Sequence, residues 1–419
     1  MKYLIRSARI MDPDSPLHRK VRDILIEGKQ IEKIGEKLKV PDAREINFPN
    51  LHVSPGWFDL YANFCEPGYE HREEISTGLN AAAAGGFTGV LIRPDTHPAL
   101  HGKSEIEFVI NKARGHAVAL YPMGALTRNT AGIELTEMID LYHAGAAAFS
   151  NGEAPLESNG ILLRSLQYLR PFDGVLIYRP LMKKLADGPV HESKISAMLG
   201  MKGSPALAEE LAVNEAIELA QYTRARMHLA KVSTAGSVAL IRKAKKEGLP
   251  ITASVAAHHL LLDEESLLSF DENYKVLPPL RGKKDVKALR KALLAGVIDT
   301  IVSDHEPLDP ESKQREFELA APGIAGIETC FSLALAALPR HIDLLLNAFI
   351  RGPRQVLGME IPTIEEGAPA ELTLFDPELE WIPSEHTRQS KAFNHPLLNT
   401  RLKGKTLAIF SRAQYVLSA

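Results

Sequence analysis

The chain has 419 residues, 45% hydrophobic and 24% charged, with a formal net charge of −3. That length suits one large domain with a smaller one, and the ordinary composition suits a soluble globular protein. The near-neutral balance implies neither a nucleic-acid nor an anionic-membrane partner.

Two cysteines, Cys65 and Cys330, lie far apart with no CxxC partner, which argues against a thiolate zinc site or a disulfide framework. The run from Met1 to Arg9 is broken by charge, so no signal peptide is expected, and no stretch reads as a membrane span. A cytoplasmic protein is the expectation.

In chain order, residues 4–10 and 23–27 are apolar bursts, with Gly28-Lys29 as a turn after the second. An Ala-rich helix is expected around residues 81–84, then an apolar strand over 86–93. Ser204-Pro205 reads as a cap followed by proline at the first helical position. Ala208, Leu211, Ala212, Ala216, Leu219 and Ala220 then fall on one face. Residues 227–233 read as a strand. Thr234 can cap the helix that follows, residues 243–247 polarise its end, and Gly248 can stop it. The next strand is expected over 249–255.

Segment 309–316 is strongly polar and reads as a mobile, solvated loop. Residues 370–376 and 402–410 return to strand patterning. Repeated β-α units predict a parallel sheet, and their number predicts a TIM (β/α)8 barrel over 53–364. The β-rich ends, 1–52 and 365–419, predict one small β-sandwich built from both termini. No GxGxxG or P-loop pattern stands at a strand–helix junction, which weighs against nucleotide binding.

Residues 55–68 read Pro-Gly-Trp-Phe-Asp-Leu-Tyr-Ala-Asn-Phe-Cys-Glu-Pro-Gly. This resembles the segment that opens the barrel of dihydroorotases in the amidohydrolase superfamily. Further segments match in the same order, among them His228-x-x-x-Val232-Ser233-Thr234, His258-His259-Leu260, Pro279-Leu280-Arg281 and Ser303-Asp304-His305-x-Pro307. The resemblance covers nearly the whole chain. It implies reversible closure of carbamoyl aspartate to dihydroorotate, with two zinc ions and an aspartate that shuttles the proton.

The ligands that the resemblance implies are replaced. The first His-x-His pair is Tyr61 and Asn63, the bridging acidic position is Asn151, and two further histidine positions hold Tyr178 and Lys231. Only the aspartate, Asp304, remains. An ammonium repels a metal, so Lys231 argues most strongly against zinc. On the substrate side, the implied arginine is Cys65, two implied asparagines are Asp95 and Leu277, and an implied histidine is Leu308. No guanidinium stands at the matching place for a substrate carboxylate. Arg93 is near in sequence, with a solvated or structural role expected.

His258 and His259 look like a metal pair, but neighbours on a strand face opposite ways, so a shared ligand role is not expected. His305 is expected to hydrogen-bond locally. Asp304 is expected to pair with Lys231, because an unpaired charge in a barrel mouth is costly.

Three functions remain open. The first is a dihydroorotase homologue without catalysis, kept for a structural or regulatory role. It would bind no cofactor, and the resemblance implies a homodimer and aspartate carbamoyltransferase as a partner. The second is an active cyclic amidohydrolase, with either a metal-free site or a metal, zinc by the resemblance, held by Asp304 with Glu153, His258 or His305. The third is a small-ligand binding module. A mouth plugged by Tyr61, Tyr178 and Leu277 favours the first, and polar groups converging around Asp304 favour the second.

Overall fold

The computed structural model describes residues 2–418. Eight parallel strands follow the order of the chain: Trp57–Ala62, Phe87–Ile92, Ala119–Ala125, Ala148–Ser150, Leu176–Tyr178, Met227–Leu229, Ile251–Ala256 and Thr300–Val302. The circle closes where Asn63 N donates to His305 O at 2.9 Å and Ala62 bridges His305 in parallel. Helices alternate with the strands on the outside, so this is a TIM barrel, and its core is one large cluster between sheet and helices.

A second sheet joins both ends of the chain. Its path runs from Gln414–Leu417 through Leu402–Ser411 and Leu372–Trp381 to His52–Pro55, then Lys2–Ile10, Val21–Glu27 and Gln30–Gly35. Strand His52–Pro55 is the seam: it pairs antiparallel with Leu372–Trp381 and parallel with Lys2–Ile10. Trp57, directly after the seam, stacks on Phe349 at 5.4 Å between ring centroids and touches Phe331, Phe87 and Phe375. One buried indole thus links the first barrel strand, the outer helices and the terminal sheet. No helix of the described residues is long and apolar enough to cross a membrane.

Local chemistry matches the expected elements with three corrections. Thr234 does cap Ala235–Lys246, accepting from Ser237 N. The preceding helix starts at Leu207, because Ser204 instead pairs in a two-stranded ribbon with residues 190–191. Its buried face uses Val213 and Ile217, and Leu211 is exposed. The strand expected over 227–233 stops at Leu229, and Lys231 then takes a positive φ of 56°.

The third correction is the polar segment. Residues 310–313 form a short helix capped by Asp309, and Lys313 is buried rather than solvated. Its ammonium donates to the carbonyls of Lys275, Ala321 and Gly323 at 3.0 to 3.1 Å. Lys275 is buried beside it and donates to Phe317 O and Glu318 O, both at 2.8 Å. Burial pushes the Lys313 amine down to about 7. Replacing Lys313 with methionine leaves Ala321 O without a donor and takes one of two donors from Lys275 O and Gly323 O, at a cost of about 1–3 kcal/mol. The expected readout is faster limited proteolysis within residues 309–321, and wild-type cleavage rates would count against this brace.

Candidate functional site

In a TIM barrel the C-terminal strand ends carry the site, and here they converge on Lys231. The Lys231 ammonium lies 2.8 Å from Asp304 Oδ1, 2.8 Å from Glu153 Oε1 and 2.9 Å from the Leu277 carbonyl. The pair expected between Lys231 and Asp304 is present. Tyr61 is buried alongside, with its ring 5.0 Å from the ammonium and its hydroxyl donating to Glu153 at 3.0 Å.

Glu153 is the hub. Besides Lys231 it meets Arg93 Nη1 at 3.2 Å and Arg179 Nε at 2.7 Å. Burial works against its ionisation, but Lys231, Arg179 and Arg93 outweigh it and hold the carboxyl well below its ordinary range. Arg93 is not solvated: it is buried and forms a bidentate pair with Asp95, at 3.0 Å for both contacts. Its Nη1 also lies 2.6 Å from Glu306. Burial pushes Glu306 up despite Arg93, and Asn63 donates to its other oxygen at 3.0 Å.

Three mouth residues adopt the left-handed backbone region without being glycine: Cys65 at φ 61°, Lys231 at 56° and Asp304 at 49°. Such conformations cost about 1–3 kcal/mol each and persist only where the surroundings impose them. They turn side chains inward just past the strand ends. Cys65 and Leu308 are buried in the wall of a cavity of about 300 Å³, together with Leu277, Asp95 and Asp304. Burial raises the Cys65 thiol well above its ordinary range, so it is not a thiolate.

Two expected members are elsewhere. Asn151 is tied by hydrogen bonds to Thr127, Thr130 and Ala154, and with Tyr178 it lines a separate cavity of about 540 Å³. The mouth is therefore not plugged by Tyr61, Tyr178 and Leu277; polar groups converge on Asp304 instead. His258 and His259 sit in a 3₁₀ turn after the seventh strand, both buried with rings 4.5 Å apart. His258 Nε2 is 3.9 Å from Asp304 Oδ2, while His259 Nε2 meets Pro278 O at 3.0 Å. His305 bonds locally through its backbone, its N–H donating to Ser303 Oγ at 3.1 Å, while its ring Nε2 approaches Glu73 at 3.5 Å.

Sequence reasoning missed Arg179 and Glu306. Their only signals were position: Arg179 follows a replaced ligand, and Glu306 sits inside the Asp304-His305-x-Pro307 motif.

The residues present do not fit a zinc pair. A zinc needs three or four imidazole, thiolate or carboxylate ligands at about 2.0–2.3 Å. Among the described residues no three His, Cys, Asp or Glu side chains are grouped to hold an ion. The space between Asp304 and Glu153 belongs to the Lys231 ammonium, which is the local cation.

The family model for Dihydro-orotase-like proteins matches residues 51–237. A dihydroorotase of Pelotomaculum thermopropionicum is 40% identical over 414 residues, covering 96% of each chain. One of Syntrophotalea carbinolica is 36% identical over 426 residues, covering all of both. This chain belongs to the dihydroorotase-like family. Among solved structures, the L-hydantoinase (dihydropyrimidinase) of Arthrobacter aurescens superposes with a TM-score of 0.87 over 99% of this chain and 96% of that one, at 20% identity. A dihydropyrimidinase from Brevibacillus agri gives 0.82 over 100% and 95%, at 23%. At that identity the likeness is one of fold. The family frame thus surrounds a mouth in which lysine and arginine carry the positive charge.

Proposed function

We propose that this dihydroorotase-family chain serves pyrimidine biosynthesis without running the two-zinc reaction in its own barrel, in a structural or regulatory role. The observation that carries this reading is the Lys231 ammonium between Asp304 and Glu153, at 2.8 Å from each. A cation seated there repels a metal and uses up the retained aspartate as its counter-ion. A homodimer and assembly with aspartate carbamoyltransferase belong to the same proposal.

The names of the relatives favour a second reading, an active cyclic amidohydrolase that converts carbamoyl aspartate to dihydroorotate with an altered site. On the comparisons alone this second reading is the better supported. The convergence of polar groups on Asp304 also favours it.

One preparation decides between them. The chain is incubated with excess zinc and dialysed, then assayed for metal and for carbamoyl aspartate cyclisation. Below about a tenth of an equivalent of zinc, with no turnover, the first reading stands. One or two retained equivalents with turnover replace it by the second.

A further inference from the structure

One half-buried histidine outside the mouth is fixed in a single protonation state by its partner. His191 Nδ1 lies 3.1 Å from Arg281 Nη1. A guanidinium can only donate, so Nδ1 is the bare nitrogen and the ring proton sits on Nε2. An imidazolium carries a proton on both nitrogens. It cannot make this contact, and it would set a second positive charge against the first.

Arg281 has few other acceptors. It is buried, 1% exposed, with its Nε donating to Ser233 Oγ at 3.0 Å and its Nη1 also to Ser204 O at 3.2 Å. Its Nη2 has no hydrogen-bond partner among the described residues, and Glu209 Oε2 stands 3.7 Å from it. His191 and Ser204 pair with each other across the two-stranded ribbon, so one guanidinium nitrogen grips both of its strands. The ribbon closes the loop between the fifth barrel strand and the helix Leu207–Thr223. Val190 beside it belongs to a buried cluster with Leu267, Val276 and Leu280. The same loop supplies Leu181, Met182 and Leu185 to the wall of the cavity of about 540 Å³.

The other charges nearby do not offset the arginine. Burial first, then Arg281, push the imidazole below its ordinary range, against the pull of Glu264, Asp285 and the Ser204 backbone. Glu209 and Glu210 bear on Arg281 instead, and Glu209 is already held by the amides of Ser233 and Thr234. Lys283 is turned to Glu265. On the ribbon side Glu192, Lys194 and the Lys202–Asp187 pair are exposed.

We propose that His191 is an acid-released latch: a proton on Nδ1 breaks the grip of Arg281 on the ribbon, frees residues 183–203 from the barrel and opens the cavity that this loop walls. The closed loop holds the imidazole neutral and the open loop does not. Closure is therefore complete above the ordinary imidazole value of about 6.5 and weakens as pH falls below it. The latch works in the same way whether or not the mouth runs a reaction.

Hydrogen exchange read by mass spectrometry on the full chain, at about pH 7.5 and about pH 5 and corrected for intrinsic rates, tests the latch. Residues 183–203 are expected to lose protection about tenfold in acid, the change for each unit by which closure depresses the imidazole. Strand Ile251–Ala256 should keep its protection over the same range. In His191→Gln the side-chain oxygen accepts from Arg281 at either pH, so protection of the loop should be equal at both. Should that variant fail to fold, the His191 ring signals of the unaltered chain are followed by NMR and should titrate below about 6.5. Unchanged protection of the loop, an acid loss that survives in His191→Gln, an acid loss shared equally by Ile251–Ala256, or a titration at or above that value would each overturn the proposal.

Discussion

Lys231→Met is expected to destabilise the protein by about 3–5 kcal/mol, the range for breaking a buried ion pair from one side. Methionine nearly preserves the volume and the apolar stem, so packing changes little and the loss is electrostatic. Glu153 would keep Arg93 and Arg179, but Asp304 would lose the ammonium that pairs with it. Asp304 would depend on His258 3.9 Å away, which burial keeps neutral.

Urea unfolding followed by circular dichroism measures the change. The double variant Lys231→Met with Asp304→Asn should recover part of the loss, because it removes the charge left without its cation. A single-variant cost below about 1 kcal/mol would place the pair in the range of solvent-screened surface bridges and sink the account of the mouth as a self-neutralised site.

Trp57→Ala carries the second large effect, about 3–5 kcal/mol for emptying a fully buried aromatic site. The indole touches Phe87, Phe331, Phe349 and Phe375, so four rings lose a neighbour at once. Its Nε1 also donates to Ser54 Oγ at 2.9 Å, which leaves a buried hydroxyl without its donor. Because Phe375 belongs to the terminal sheet and Phe349 to the outer barrel helix that follows the last barrel strand, both units should lose stability together. Calorimetry should show a single transition moved down in temperature. A variant in which one part melts early while the other keeps the wild-type midpoint would contradict the role of Trp57 as their common support.

The barrel was legible because motif order and β-α alternation are properties of the sequence itself. Thr234 was readable as a cap, since one hydroxyl before a periodic run suffices. The contact of Lys231 with Asp304 was readable from charge alone. The rest of the mouth was not. Which side chains turn inward past a strand end depends on local backbone, and the positive φ of Cys65, Lys231 and Asp304 has no signature in residue periodicity. Arg93 therefore read as either solvated or structural, and only the structure shows it buried between three carboxylates. Lys313 failed for a related reason: its partners are main-chain carbonyls, which every residue carries and no composition reveals.

The seam strand has a consequence for how the chain is made. Residues 52–55 pair with residues 372–375, and the amide of Asn394 braces the mouth by donating to Glu306 O and Gly323 O. At ribosomal rates of about 5–20 residues per second, the seam waits roughly tens of seconds for its partner. Throughout that interval a sheet edge and the ring cluster behind it stand open to other nascent chains. A prematurely terminated product would keep that edge and never complete the mouth. Residues 372–375, made long after the strand they pair with, thus act as the clasp of the molecule, and dependence on chaperones during synthesis should exceed what the finished protein's stability would suggest.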